Sequence, residues 1–333
     1  MFQRSIRSKV SQVGKSPAAY QFKCFSSETS IPPDVSTIIQ GPSLLTNTNV
    51  HRPSPSIFFL PGLRSLPFWT AAPPAGGDAD PAKVSVAYGD PTVTAVVQHL
   101  ESNYLTIKDE YMSAVMGVGR TTDMSSGNPT VSKPLEPDYD MNKKGAEHAS
   151  DKLHVGNWDW HSYVLNGVVQ PKFEQACPKT TAIIAELKDQ LFFGNTTESH
   201  NPFGFTFFST LHGKSSIKPH TGPMNLRLRI HLPLIVPSNT KPDAFSRNPK
   251  TKCGLRVGDQ IREWKEGKAI VLDDSYEHAV WNETDDIRVL LLIDIWHPDI
   301  RKEERDRIGR MFGFALNKGW IGNADKANDS ASK

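Results

Sequence analysis

Cysteine is scarce in this chain: Cys24, Cys177 and Cys253 are the only three among 333 residues. Three thiols so far apart supply neither a disulfide framework nor a Cys-type zinc site, and they fit a reducing compartment. Long apolar runs are missing too. No stretch approaches the ~18 consecutive apolar residues of a bilayer-spanning helix. No internal repeat is evident, which speaks against a solenoid. The formal net charge is only +2, too small to imply a nucleic-acid or membrane partner. Acid is absent from residues 1–27, which hold Arg4, Arg7, Lys9, Lys15 and Lys23. The remainder of the chain is therefore slightly acidic, and the basic character belongs to the leader.

That leader also carries Phe2, Ile6, Val10 and Val13 at helical spacing, with Arg4, Arg7 and Lys15 on the other face. It is rich in serine and ends Phe22-Lys23-Cys24-Phe25-Ser26-Ser27. A basic, acid-free, amphipathic start predicts an organellar transit peptide over residues 1–27. Two arginines, Arg4 and Arg7, and the aromatic-serine end favour the mitochondrial matrix over a plastid; a basic tail on a cytoplasmic protein is the plainer alternative. A secretory signal is not expected, because no uninterrupted apolar core of sufficient length follows the charges.

Residues 28–55 are polar and punctuated by Pro32, Pro33, Pro42, Pro53 and Pro55, and read as a linker. The N-terminal part of the folded domain is expected over 56–200, made of helices and loops. It opens with Ile57-Phe58-Phe59-Leu60-Pro61-Gly62-Leu63 and continues through a loop at 71–83. Asp90 as cap, Pro91, and then Val93, Val96, Val97, Leu100, Tyr104, Ile107, Tyr111 and Val115 predict one helix ending at Gly117. Residues 117–150 are polar, with Gly, Pro and Ser throughout, and read as a surface insertion. The Gly117-Val118-Gly119 within it has no strand before it and carries no nucleotide signal. A second helix is expected from Pro178 through Ile183, Ile184 and Leu187.

After residue 200 the pattern changes to short strands: 203–211, 215–219, 226–234, 254–257, 260–264, 269–273, 278–281 and 287–296. The third alternates cleanly, with Leu226, Leu228, Ile230, Leu232 and Leu234 on one face and Arg227, Arg229 and His231 on the other. Eight short strands over 201–300 suggest a small barrel or jelly roll with a cavity between its sheets. A charged helix at 301–312 and a C-terminal tail complete the 301–333 segment.

Two histidines sit at strand ends, His220 in Lys218-Pro219-His220-Thr221-Gly222-Pro223 and His278 in Asp273-Asp274-Ser275-Tyr276-Glu277-His278. Imidazole suits iron(II), zinc and copper alike, so ligand type does not choose the metal. Arg288 opens the apolar run Val289-Leu290-Leu291-Leu292-Ile293. A guanidinium there is costly unless it meets an anion, and its geometry matches a carboxylate. Either it forms a buried ion pair with Asp294 or Asp273, or it binds a ligand.

The stretch from Phe207 to Pro298 resembles the catalytic domain of the aspartyl/asparaginyl β-hydroxylase family. The matching motifs are Pro219-His220-Thr221-Gly222-Pro223, Arg227-Leu228-Arg229-Ile230-His231-Leu232, Trp264-Lys265-Glu266-Gly267-Lys268, Asp273 through Trp281, and Asp294-Ile295-Trp296-His297-Pro298. Weaker similarity extends upstream through Leu60-Pro61-Gly62-Leu63 and Trp158 to Leu187. The resemblance implies a mainly β fold, a double-stranded β-helix (cupin-like jelly roll) with flanking N-terminal helices. It implies a 2-oxoglutarate-dependent dioxygenase using Fe(II), 2-oxoglutarate and O2. By residue, it makes His220 and His278 the iron ligands and places Ser209, Arg229, His231 and Arg288 at 2-oxoglutarate, with Asp274 beside the metal. The common non-haem iron site takes a carboxylate two residues after its first His; here that position is Gly222. The resembled family is similar in this respect, with a two-His site. The substrate expected is a protein Asp or Asn, or else a small molecule or lipid chain. A non-catalytic cupin-like binding module and a zinc hydrolase are the readings from other classes.

Overall fold

The structure, a computed structural model, describes residues 52–70, 90–118, 134–138, 153–193, 201–237 and 251–321. The predicted leader, the linker up to residue 51, the loop at 71–83, most of the insertion 117–150 and the tail after 321 lie outside the described residues.

Helix α1 (Pro91–Ser102) begins as its sequence demands, with Asp90 accepting from the backbone N–H groups of Thr92 and Val93 and proline in the first turn. The single predicted helix is in fact two. Ser102 Oγ and Asn103 Nδ2 both donate to the His99 carbonyl at 2.9 Å, competing with the helical ladder. The chain breaks at Asn103 and resumes as α2 (Tyr104–Ala114). Three strands follow where only helices and loops were expected: β1 (His154–Val155), β2 (Trp158–Leu165) and β3 (Val168–Val169). Two are only two residues long, and β2 is an inner strand lacking a clean polar face, so neither gave an alternation signal. Short helices α3 (Pro171–Ala176) and α4 (Pro178–Ala185) come next, with Leu187 buried just beyond the second.

The eight predicted strands all form: β4 (Thr206–Leu211), β5 (Ser215–His220), β6 (Arg227–Ile235), β7 (Cys253–Val257), β8 (Gln260–Arg262), β9 (Ile270–Leu272), β10 (His278–Asn282) and β11 (Arg288–Trp296). They pair into a six-stranded sheet, β3-β2-β4-β11-β6-β9, and a five-stranded sheet, β1-β5-β10-β7-β8. Every strand pairing within the two sheets is antiparallel. From β4 to β11 the chain passes repeatedly between the sheets, and the first strand ends beside the last. This is the winding of a double-stranded β-helix.

Alternation on β6 and β11 sorts the core. Leu228, Ile230, Leu232, Leu234, Val289, Leu291, Ile293 and Ile295 pack with the helices in one cluster. Leu211, Ile217, Leu255, Val257, Leu272, Val280 and Leu290 form a second between the sheets. Arg227, Arg229 and His231 share the inner face. The last helix, α5 (Lys302–Asn317), runs longer than predicted and buries Ile308, Met311 and Phe312 against Phe58, Phe203 and Trp296.

Candidate active site

The two histidines meet because of a local irregularity. Pro219 has no N–H to give to a ladder, and the β5–β10 register slips between the His278–His220 and Val280–Ile217 pairs. Such a bulge re-aims side chains. Here His220 and His278 stand directly opposite, with ring centroids 4.1 Å apart. His220 Nδ1 lies 2.8 Å from the Lys218 carbonyl, and His278 Nδ1 lies 2.9 Å from the Tyr276 carbonyl. A carbonyl only accepts, so each Nδ1 carries the hydrogen and each Nε2 keeps its lone pair. Burial keeps both rings neutral at pH 7: it lowers His220, and with His220 alongside it brings His278 down to about 3. Neutral imidazoles with orientated Nε2 atoms are metal ligands in waiting. Among the described residues, no three His, Cys, Asp or Glu side chains gather as a metal site. A metal held by this pair would find no third protein ligand among the described residues.

Gly222 explains why a third is missing. A Cβ at that position would lie 2.6 Å from Asp274 Cγ, and Gly222 N–H donates to the Asp274 carbonyl at 2.6 Å. The carboxylate of Asp274 occupies the space a side chain at 222 would need. Asp274 is fully buried, which opposes its ionisation, but the Arg227 and Arg229 guanidiniums overcome this and hold it well below the usual carboxylate range.

Arg227 Nη2 donates to Asp274 Oδ2 at 2.6 Å and Arg227 Nη1 to Asp294 Oδ2 at 2.7 Å; Nη1 also donates to the Phe203 carbonyl. Arg229 Nε and Nη2 donate to Asp294 at 2.8 and 3.0 Å, and its Nη1 is 3.4 Å from Asp274. Arg227 and Asp294 were missed as site residues. The fault is one of register: Asp294 lies opposite Arg229 across β6 and β11, a long-range pairing that no local pattern announces.

Arg288 does not form the ion pair with Asp294 or Asp273 that the sequence left open. Asp294 is taken by Arg227 and Arg229, and Asp273 accepts from the N–H and Oγ of Ser275. Arg288 is 1% exposed, donates from Nη1 to Ser209 Oγ at 3.3 Å, and lies over the Trp264 ring at 5.0 Å. Its Nε meets no acceptor, and among the described residues no carboxylate pairs with it. Burial lowers it to about 10, so it stays charged at pH 7. Ser209 itself is fixed by Trp158 Nε1 at 2.9 Å. Trp158 was noted only within a weak upstream similarity. His231 is buried with Nδ1 unpartnered, and burial together with Arg288 and Arg229 holds it well below its ordinary value. A neutral imidazole, a serine hydroxyl and an uncompensated guanidinium thus share one region. No helix among the described residues is long and apolar enough to cross a membrane.

Comparison with known proteins gives this geometry a context. The family model described as aspartyl/asparaginyl beta-hydroxylase matches residues 101–298, reaching well upstream of the motif-rich segment. The mouse aspartyl/asparaginyl beta-hydroxylase is 29% identical over 253 residues, 75% of this chain and 26% of that protein. The Rhizobium tropici ornithine lipid ester-linked acyl 2-hydroxylase is 36% identical over 141 residues, covering 42% of each chain. A Pseudomonas putida prolyl-4-hydroxylase structure aligns with 46% of this chain and 81% of its own, at 10% identity and a TM-score of 0.24. That likeness is too slight to carry an argument. The chain spans about a quarter of the length of the mouse relative. With more than half of its residues matched by the family model, this chain belongs to the aspartyl/asparaginyl β-hydroxylase family.

Proposed function

We propose that this protein is an iron(II)- and 2-oxoglutarate-dependent dioxygenase that hydroxylates a substrate C–H bond. The observation that carries the reading is Arg288, a buried guanidinium without a carboxylate, in the same barrel as two histidines whose Nε2 atoms are free. What iron(II) supplies when bound is activation of dioxygen, with 2-oxoglutarate leaving as succinate and carbon dioxide. The chain's part is positional. His220 and His278 hold the metal through Nε2. Arg288 and Ser209 take the distal carboxylate of 2-oxoglutarate, for which a guanidinium fork is shaped. His231, neutral, faces the same cosubstrate. Arg229 is already compensated by Asp294 and Asp274, so it orients Asp274 more than it adds charge. Asp274, kept ionised, is an acceptor suited to holding a water next to the metal.

The substrate carbon is a β-carbon of Asp or Asn in a protein, or a carbon of a small molecule or lipid chain. The identity with the ornithine lipid hydroxylase, 36% over 141 residues, supports keeping the second. Purified protein with iron(II), ascorbate and 2-oxoglutarate should release succinate, and His278→Ala should not. Mass spectrometry of peptides, amino acids and lipid extracts then identifies a product one oxygen heavier. Binding of 2-oxoglutarate without succinate would favour a cupin-like binding module. Activity with zinc and indifference to 2-oxoglutarate would favour a hydrolase. We also propose mitochondrial import, supported by the composition of residues 1–27; a reporter fused to residues 1–35 that stays cytosolic would refute it.

A further inference from the structure

Pro53-Ser54-Pro55-Ser56 precedes the residues that the family model matches, and by sequence its first three residues are the end of a linker. In the structure it is docked, with residues 53–55 buried. Two of its four residues have no backbone donor, and proline holds the residue before it extended. The two donors left are both used. Ser54 N–H donates to the Ser275 carbonyl at 2.8 Å, and Ser56 N–H donates to the Gly222 carbonyl at 3.0 Å. Ile57 and Phe58 continue the contact, both donating to the Pro223 carbonyl, at 3.0 and 2.9 Å.

These acceptors lie in two loops, one leaving His220 and the other leading to His278. The loops are joined to each other by Gly222 N–H on the Asp274 carbonyl. A ladder therefore runs from Ser275 through the strap to Gly222 and back to Asp274. Further along, the Ser65 hydroxyl meets the Tyr276 hydroxyl at 2.7 Å and Asp273 N–H donates to the Pro67 carbonyl at 3.2 Å. Tyr276 is the residue whose carbonyl orients His278.

We infer that residues 53–58 are positioning residues for the His220–His278 pair, tying together the two loops that set its geometry. The inference rests on the reading of that pair as metal ligands. Groups hydrogen-bonded directly to ligating histidines typically change metal affinity by about 10- to 100-fold; the strap acts one contact further out, so the lower end of that range applies. The test is a Co(II) titration followed by absorbance, on the full chain. Proline at 54 or 56 deletes the donor in a segment already extended, so Ser54→Pro with Ser56→Pro should weaken Co(II) binding by about tenfold. Ser54→Ala with Ser56→Ala keeps both N–H groups and should recover the affinity that proline loses. A proline variant that is folded by circular dichroism and binds Co(II) as wild type does would overturn the strap's role and leave the iron reading standing. Wild-type protein that binds no Co(II) and releases no succinate would overturn both. Should the proline variants fail to fold, hydrogen exchange on wild type decides. Coupling is reciprocal, so Co(II) should slow exchange of the amides of Ser54, Ser56, Ile57 and Phe58, and unchanged exchange overturns the inference.

Discussion

Arg227 and Arg229 lie on the same inner sheet face as Arg288, yet their circumstances are opposite. The first two share two buried carboxylates, Asp274 and Asp294, so two positive and two negative charges close on themselves. Arg288, also buried, has a serine and a tryptophan ring for company. Removing one partner from a closed buried network leaves an uncompensated charge and costs several kcal/mol. Removing a lone buried cation takes away something that was never compensated. The first group is therefore read as framework and the second as a place for an anion to arrive.

Asp294→Ala should produce the largest effect in the molecule, because Arg227 and Arg229 would be left with Asp274 alone. A loss of about 3–5 kcal/mol is expected from urea unfolding. A loss below about 1 kcal/mol, the range of exposed pairs, would erase the contrast from that side. Arg288→Met tests the other side. Its stability without ligand should equal or exceed wild type. The stabilisation that 2-oxoglutarate gives the Co(II)-loaded protein, about 2.7 kcal/mol at a hundredfold excess over Kd, should vanish from its thermal melts. If 2-oxoglutarate still stabilises the variant, Arg288 is not its anchor.

Gly222→Asp asks whether Asp274 truly occupies the third-ligand space. With a Cβ 2.6 Å from Asp274 Cγ, overpacking should cost about 1–3 kcal/mol, and Co(II) affinity should not rise. Tighter Co(II) binding would show that a conventional three-ligand site can form. The smallest effect concerns pH. Native Asp274 refuses a proton that the unfolded chain accepts near the ordinary value of about 3.9. Its contribution to stability is therefore complete above that value and lost as pH falls below it, by up to ~1.4 kcal/mol per pH unit. Acid unfolding of Asp274→Asn should lack this component; an unchanged slope would mean that Arg227 and Arg229 do not hold the carboxylate ionised.

Much of this was legible in the residues. The eight strands from β4 to β11 were readable because short apolar or alternating runs, cleanest over 226–234, ended at turn signals. Arg288 stood out because a guanidinium at the start of an apolar strand is costly without an anion; His220 and His278, ordinary taken singly, became candidate iron ligands through the company of Arg288 and the family resemblance. The strands β1–β3 were not legible. Two of them are too short to have a period, and β2 is flanked by neighbours on both sides. The Asn103 break was hidden as well, since apolar spacing continues across it while the side chains of Ser102 and Asn103 compete for the His99 carbonyl.

The sequence by itself supplied the candidate groups: two imidazoles, a carboxylate at 274, a glycine at 222 and arginines at 229 and 288. Only the tertiary structure decided how these charges are paired. Asp294 could have met Arg288 on its own strand; the register of β11 against β6 gave it to Arg229. Burial is then the physical reason for the outcome. In a low-dielectric interior an ion pair formed across strands satisfies its members fully, and the guanidinium left over acquires a strong demand for an anion.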